Sequence, residues 1–126
     1  MKIEQTPTGV LEHWTAQELS QAFEQAEVVV IDVRTPQEYG FEHIEGALLA
    51  PMAQFKPSNL PTQTDKRIVF HCGSGVRSRR VAEACAAAGW TRTAHLEGGF
   101  AAWKAAGLPY LSIDPATGAP RRSAAK

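Results

Sequence analysis

The chain has 126 residues, with thirteen basic and thirteen acidic side chains and 44% hydrophobic residues. This length suits a single domain that can bury its own core. The balanced charge argues against a protein that binds nucleic acid by bulk charge. No apolar stretch approaches the length of a membrane span, and no basic segment followed by an apolar run opens the sequence. We therefore expect a soluble cytoplasmic protein that binds neither nucleic acid nor membrane.

The first part of the chain carries two helix-start signals on either side of a buried strand. The segment TAQE at 15–18 is a capping box, and apolar residues at helical spacing follow it. The continuous apolar run at 27–33 is typical of a parallel strand that is covered on both faces. The segment TPQE at 35–38 is a second capping signal, with proline at the first helical position.

The rest of the chain continues to alternate strands with helices. We predict, in order, a strand at 46–51, a short helix at 52–56, a surface loop at 56–66, a buried strand at 67–72, a helix at 76–88, a strand at 93–96 and a short helix closed at 107–109. This alternation predicts an α/β fold, with a parallel sheet that carries helices on both faces. We expect one domain at 1–112. Residues 113–126 show no period, and predict a flexible tail or a segment that packs onto the domain.

The two cysteines are predicted to be reduced, since two are too few for a disulfide framework. In a helix at 76–88, Cys85 would lie about 13 Å beyond the helix start. A disulfide requires a Cα separation below about 7 Å, so a bond to Cys72 is not expected. Cys85 shares the apolar helix face with Val81 and Ala88, which predicts an inert core residue.

The segment CGSGVRS, residues 72–78, joins the end of a predicted strand to the start of a predicted helix. A cysteine thiolate is the reactive form, and its pKa falls near a helix N-terminus or a cation. Gly73 and Gly75 allow backbone N–H groups to turn inward, and the Arg77 guanidinium can bind an oxyanion through paired donors. A strand-end cysteine is usually a core residue, but this combination favours a nucleophile beneath an anion cradle. The predicted nucleophile is Cys72, and the predicted binding residues are Gly73, Ser74, Gly75, Val76, Arg77 and Ser78.

Three segments together resemble the rhodanese family over about residues 9–110. They are DVRTPQEY at 32–39 with HIEGA at 43–47, CGSGVRS at 72–78, and EGGFAAW at 97–103 with GLP at 107–109. The resemblance implies a rhodanese-like α/β fold with a mostly five-stranded parallel sheet. It also implies that Cys72 attacks a sulfane donor such as thiosulfate, forms a persulfide, and passes the sulfur to cyanide, a thiol or a protein cysteine. No metal and no organic cofactor is expected.

The length of the loop separates this resemblance from a related one. Cysteine phosphatase loops place five residues between cysteine and arginine, whereas four separate Cys72 from Arg77. The resemblance implies that this smaller ring suits the terminal sulfur of a persulfide. Many family members carry a charged or long polar residue where Gly73 stands, so Arg77 is expected to supply most of the cationic recognition.

Other residues near the predicted loop have expected supporting roles. The resemblance implies that Asp32 helps to fix the active-site region, with Arg34 as its partner, and a structural ion pair is the favoured interpretation. His71 is expected to be a packed, hydrogen-bonded histidine. Two other functions remain open: a cysteine phosphatase or arsenate reductase on the same fold, and a non-catalytic rhodanese module that binds partners.

Overall fold

A computed structural model of the chain describes residues 1–123. The strands are β1 (Lys2–Thr6), β2 (Gly9–Trp14), β3 (Val28–Asp32), β4 (Glu42–His43), β5 (Leu48–Leu49), β6 (Arg67–His71), β7 (Arg92–Leu96), β8 (Leu111–Ile113) and β9 (Pro120–Arg122). The helices are α1 (Ala16–Glu24), α2 (Pro36–Phe41), α3 (Val76–Ala87) and α4 (Gly99–Ala105). Short 3-10 helices at Met52–Gln54 and Pro57–Asn59 lie in the segment predicted as a short helix and a loop.

The central sheet has the strand order β1-β2-β7-β6-β3-β5. The strands β2, β7, β6, β3 and β5 pair in parallel with their neighbours, which confirms the predicted mostly five-stranded parallel sheet. The sixth strand, β1, pairs antiparallel with β2 at the edge. The sequence prediction assigned no strand before residue 27, so the β1–β2 hairpin is a finding of the structure.

Two helices begin at capping boxes, as predicted. The Thr15 side chain accepts a hydrogen bond from the backbone N–H of Glu18, and the Glu18 carboxylate accepts one from the N–H of Thr15. Thr35 and Glu38 make the same pair of bonds at the start of α2. These bonds satisfy N–H groups that have no partner within the helix. Within residues 1–123, the helices are too short or too polar to cross a membrane.

The apolar core forms two clusters, one on each face of the central sheet. Neighbouring residues of β3 enter different clusters: Val30 packs with α1 and α4, whereas Ile31 packs with α3. Val69 and Phe70 of β6 divide in the same way. Successive side chains of a strand point to opposite faces. The continuous apolar runs therefore serve two helical layers, which confirms that helices cover both faces.

A second, antiparallel sheet holds the C-terminal segment against the domain. Its strand order is β4-β8-β9. The guanidinium of Arg122 in β9 donates two hydrogen bonds to the Glu45 carboxylate. Part of the predicted tail at 113–126 is thus a paired strand, because β9 pairs with β8 and β8 pairs with β4. The domain boundary at 112 and the flexibility of the tail remain predictions, and residues 124–126 lie outside the described residues.

Candidate active site

The loop after β6 reverses the chain within four residues before α3 begins. Gly75 is the residue before the helix, and its φ of +105° lies in the left-handed region. That conformation is costly for residues with a side chain, so the second glycine of the loop is required by its backbone geometry. Cys72 therefore stands at the carboxyl edge of the sheet, where parallel sheets bind their ligands.

Several hydrogen-bond donors of the loop converge on the Cys72 sulfur. The backbone N–H groups of Gly75 and Ser78 lie 3.0 Å and 3.3 Å from Sγ, and the Ser78 hydroxyl oxygen lies 3.6 Å from it. Burial raises the pKa of the Cys72 thiol, but these groups and the N–H of Ser74 favour the thiolate and lower the pKa below its ordinary value overall. The loop thus surrounds the Cys72 sulfur with hydrogen-bond donors, and its role as a nucleophile remains a prediction.

The N-terminus of α4 packs directly beneath the loop. The N–H of Phe100 donates to the Cys72 carbonyl at 2.7 Å, and that of Ala101 donates to the Gly73 carbonyl at 3.1 Å. A Cβ on Gly99 would lie 2.5 Å from the carbonyl oxygen of Cys72. Glycine is therefore the residue that allows this close approach, which explains the EGG segment at 97–99 in physical terms.

Arg77 lies beside the loop, but its guanidinium is bound to a carboxylate. Its two terminal nitrogens, Nη1 and Nη2, donate to Glu38 at 2.7 Å and 3.1 Å. The hydrogen bonds from Arg77 lower the pKa of Glu38 to about 2; burial opposes this shift, and the hydrogen bonds with Thr35 add to it. The sequence predicted a guanidinium directed into the ring and did not identify Glu38 as its partner. The sequence predicts Glu38 as a helix cap, and in the structure it both caps α2 and binds Arg77.

Gly73 leaves the space that the Arg77 guanidinium occupies. A Cβ on Gly73 would lie 3.2 Å from Nη2 of Arg77, which is closer than ordinary packing allows. The absence of a side chain after the cysteine therefore lets the arginine lie against the loop backbone. Arg77 also lines a cleft of about 230 Å³, together with Arg34, Pro36 and Met52 among others.

Asp32 and Arg34 form a buried ion pair, as the sequence favoured. Asp32 is fully buried, and its carboxylate accepts hydrogen bonds from Nε and Nη2 of Arg34 at 2.8–3.1 Å. Arg34 also donates to the backbone carbonyl of Glu42 at 2.7 Å. The structure shows both side chains fixing neighbouring backbone, without a contact to the Cys72 sulfur.

His71 lies between this ion pair and the loop, and its Nε2 has no hydrogen-bond partner among the described residues. Its Nε2 lies 3.5 Å from an Asp32 oxygen, and its Nδ1 lies 3.2 Å from the carbonyl of Cys72. Burial lowers the pKa of His71, which favours the neutral ring. The residue is packed and hydrogen-bonded, as predicted, and it supports the backbone of Cys72 rather than its sulfur.

The other residues of the predicted site differ in their exposure. Ser74 and Val76 are exposed at the surface of the loop, whereas Ser78 is fully buried beside the sulfur. Nδ1 of His95 in β7, a residue not predicted to belong to the site, lies 2.9 Å from the Ser78 hydroxyl. A contact between a helix residue and a strand residue of this kind has no local signal in the sequence.

Cys85 is the inert core residue that the sequence predicted. It is buried in the same cluster as Cys72, and burial raises the pKa of its thiol to about 12. Both cysteines are free, as expected. One detail differs: Ala88 is exposed and ends the helix instead of continuing its apolar face.

Comparisons with known proteins place this arrangement in a family. Residues 15–106 match the rhodanese-like domain. A curated sulfurtransferase of Allochromatium vinosum is 34% identical over 100 residues, covering 77% of this chain and 92% of that protein. The chain covers only 51% of a Synechocystis relative, an uncharacterized protein with 42% identity over 91 residues.

Solved structures match the fold as well. The crystal structure of a rhodanese-related protein from Thermoplasma volcanium has a TM-score of 0.68 and 27% identity, and the match covers 79% of this chain and 96% of that one. A Rhodopseudomonas palustris structure, described as a protein of unknown function and possible tyrosine phosphatase, has a TM-score of 0.64 and 30% identity over 77% and 82% of the two chains. The match over residues 15–106 and the shared fold show that this chain belongs to the rhodanese family.

Proposed function

We propose that the protein is a sulfurtransferase that carries a sulfane sulfur as a persulfide on Cys72. One observation carries the proposal: the N–H groups of Gly75 and Ser78 and the Ser78 hydroxyl surround the Cys72 sulfur. Fixed N–H donors stabilise a negative charge without reorganising during the reaction. They would stabilise the thiolate before attack and the sulfur that leaves when the persulfide is consumed.

With thiosulfate as donor, the reaction has two balanced steps. The Cys72 thiolate attacks the outer sulfur, a new S–S bond forms at Sγ, and sulfite leaves with the electron pair of the broken S–S bond. A nucleophilic acceptor such as cyanide then attacks the outer sulfur of the persulfide. Thiocyanate forms, and the electron pair of the persulfide bond returns to Cys72 as the thiolate. A small thiol or a protein cysteine would accept the sulfur in the same way.

The ion pair between Arg77 and Glu38 suggests how the donor is held. Arg77 is part-exposed beside the loop and lines the adjacent cleft. An anionic donor such as thiosulfate would compete with Glu38 for the guanidinium, which binds oxyanions through parallel N–H donors. Cys72 itself is fully buried, so the outer sulfur of the donor must enter the ring while its charged end remains at Arg77.

The size of the ring favours this reaction over phosphate ester hydrolysis. Four residues separate Cys72 from Arg77, and the sulfur already accepts hydrogen bonds from the loop at 3.0–3.3 Å. A phosphoryl group would have to place three oxygens among these donors. The likeness to a possible tyrosine phosphatase concerns the fold, and makes phosphatase or arsenate reductase activity the alternative to test.

The test compares sulfur transfer with phosphate hydrolysis in the same preparation. Thiosulfate, glutathione persulfide and 3-mercaptopyruvate serve as donors, with cyanide or a thiol as acceptor, beside an aryl phosphate. We expect transfer from at least one donor and no appreciable phosphate hydrolysis. Hydrolysis without transfer from any donor would favour the phosphatase, and neither activity would favour a binding module. A variant with one glycine inserted between Gly75 and Val76 should lose sulfur transfer, because it enlarges the ring.

Under this proposal the partners are a small sulfur donor and a thiophilic acceptor. The proposed location is the cytoplasm, where thiols remain reduced. No resident metal or organic cofactor is required by either step.

A further inference from the structure

A continuous chain of hydrogen-bonding side chains runs from the candidate nucleophile to the protein surface. The Cys72 sulfur lies 3.6 Å from the Ser78 hydroxyl, whose oxygen lies 2.9 Å from Nδ1 of His95. The other ring nitrogen of His95, Nε2, lies 2.8 Å from Nδ1 of His13. Nε2 of His13 lies 2.9 Å from a carboxylate oxygen of Glu4. Each group can therefore exchange a proton with the next.

The pairing of the edge strands produces this chain. His13 of β2 and His95 of β7 are direct partners in the parallel register. Glu4 reaches His13 from β1, the antiparallel strand at the sheet edge. The edge hairpin, which was not predicted from the sequence, therefore completes a path that begins at the candidate active-site loop.

His95, in the middle of this series of side chains, is more deeply buried than His13 near its outer end. His95 is 4% exposed, and burial, followed by the charges of His13 and Arg79, lowers its pKa to about 4. His95 therefore stays neutral and can pass a proton but not keep one. His13 is only half-buried, and its outer nitrogen, Nε2, lies 2.9 Å from the carboxylate of Glu4.

We propose that Ser78, His95 and His13 form a proton relay that ionises Cys72. In the thiol state, Cys72 donates to Ser78, Ser78 donates to His95, and Nε2–H of His95 donates to His13. Each proton then moves one step outward. The sulfur becomes a thiolate, Nδ1 of His13 gains a proton, and the total charge is unchanged.

The thiolate state keeps the three hydrogen bonds from Cys72 to His13 with their directions reversed, and the bond from Nε2–H of His13 to Glu4 is unchanged. Ser78 now donates to the thiolate, and Nδ1–H of His95 donates to the Ser78 oxygen. His13, as an imidazolium, donates to His95 through Nδ1 and to Glu4 through Nε2. The tautomer of His95 therefore reports the ionisation of a sulfur that it does not touch.

Other charged groups face the two ends of the relay without joining it. Arg79 of α3 donates to Glu4 at 2.6 Å, and Glu97 lies near enough to His95 to favour its charged form weakly. Arg77 interacts with the Cys72 end through space. These groups bias the position of the proton, whereas only the relay residues carry it.

The inference rests on the proposed role of Cys72 as the nucleophile, but its test needs no sulfur donor. Histidine ring ¹⁵N shifts, measured by NMR at neutral pH, identify the protonated nitrogens. In the unmodified protein we expect His95 protonated at Nδ1 and His13 protonated at both nitrogens. In Cys72→Ala, which has no sulfur to ionise, we expect His95 to switch to the Nε2–H tautomer and His13 to be neutral.

Alkylation of Cys72 as a function of pH provides a second readout. His13→Gln removes the final proton acceptor but leaves the contact between Ser78 and His95 intact. We expect it to raise the alkylation midpoint by about one pKa unit, and so to slow alkylation about tenfold at pH values below the midpoint. The matched control is His43→Gln, another half-buried histidine, which stacks on Tyr39 outside the relay and should leave the midpoint unchanged.

An unchanged His95 tautomer in Cys72→Ala, or an unchanged midpoint in His13→Gln, would overturn the relay. Absence of sulfur transfer with both readouts as expected would instead overturn the proposed function and leave the relay standing.

Discussion

Cys72 and Cys85 share a cluster of the core, and neither is exposed to solvent. Burial raises the pKa of both thiols, and at Cys85 nothing opposes it, so that pKa rises to about 12. At Cys72 the donors of the loop reverse the effect and lower the pKa. Burial alone therefore does not decide whether a cysteine is inert. The direction in which the surrounding N–H groups point decides it.

The largest expected effect is on the rate of sulfur transfer when either cysteine is replaced. Cys72→Ser should abolish sulfur transfer, because the hydroxyl cannot form a persulfide. Cys85→Ser should retain transfer, since that thiol lies in the core and has no donor around it. Steady-state rates of both variants, beside circular dichroism to verify folding, test the comparison. Loss of activity in a folded Cys85→Ser variant would contradict it.

The next effect concerns the cation beside the loop. A charge-assisted hydrogen bond contributes about 1.5–3 kcal/mol, so Arg77→Ala should lower kcat/KM for thiosulfate by about ten- to a hundredfold. Arg77→Lys should recover part of the loss, because lysine keeps the charge without the planar fork. Kinetics of the three proteins provide the measurement. Equal kcat/KM values for wild type and Arg77→Ala would show that the donor does not contact the arginine.

The ionisation of Cys72 should be visible in its alkylation. The rate should rise with pH to a midpoint below the ordinary cysteine value of about 8.5, since the loop donors lower this pKa. Cys85 should remain unmodified in the folded protein at the same pH values. Iodoacetamide labelling followed by peptide mass spectrometry distinguishes the two sites. A Cys72 midpoint at or above 8.5 would show that the loop does not activate the sulfur.

The smallest expected effect is on the pH dependence of stability, to which the two cysteines contribute with opposite signs. Cys85 keeps its proton in the folded protein up to about pH 12, whereas the unfolded chain loses it near pH 8.5, so its contribution to stability falls as pH rises between these values. Cys72 has a lowered folded pKa, so its contribution rises with pH in a window that ends near 8.5.

Urea unfolding against pH under reducing conditions checks these signs. Cys85→Ala should make the loss of stability above pH 8.5 shallower, by up to about 1.4 kcal/mol per pH unit. Cys72→Ala should remove a rise in the free energy of unfolding with pH below pH 8.5. If the free energy of unfolding changed with pH in the same way in both variants, the opposite shifts of the two thiol pKa values would be contradicted.

Local features of the chain were readable from the sequence. The capping boxes at 15–18 and 35–38, the buried runs at 27–33 and 67–72 and the loop at 72–78 depend on neighbouring residues, and the structure has them close to the predicted bounds. Periodicity and capping depend on residues a few positions apart, so they can be recognised in the sequence alone.

The contacts between distant segments were not readable. The ion pair of Arg77 with Glu38 joins residues 39 positions apart, and the contact of Ser78 with His95 spans two elements. Such partners depend on strand order and register, which the residues themselves do not encode locally. The short strands β8 and β9 were missed for the same reason, because their pairing with β4 is tertiary.

The most direct test of the account is the mass of the protein after incubation with a sulfane donor and removal of the excess. A persulfide adds one sulfur, about 32 Da, to the intact protein, and a thiol reductant should remove it. Peptide mapping should place the added sulfur on Cys72, with Cys85 unmodified. No adduct with any donor, or an adduct on Cys85 alone, would contradict the claim that the loop makes Cys72 the sulfur carrier.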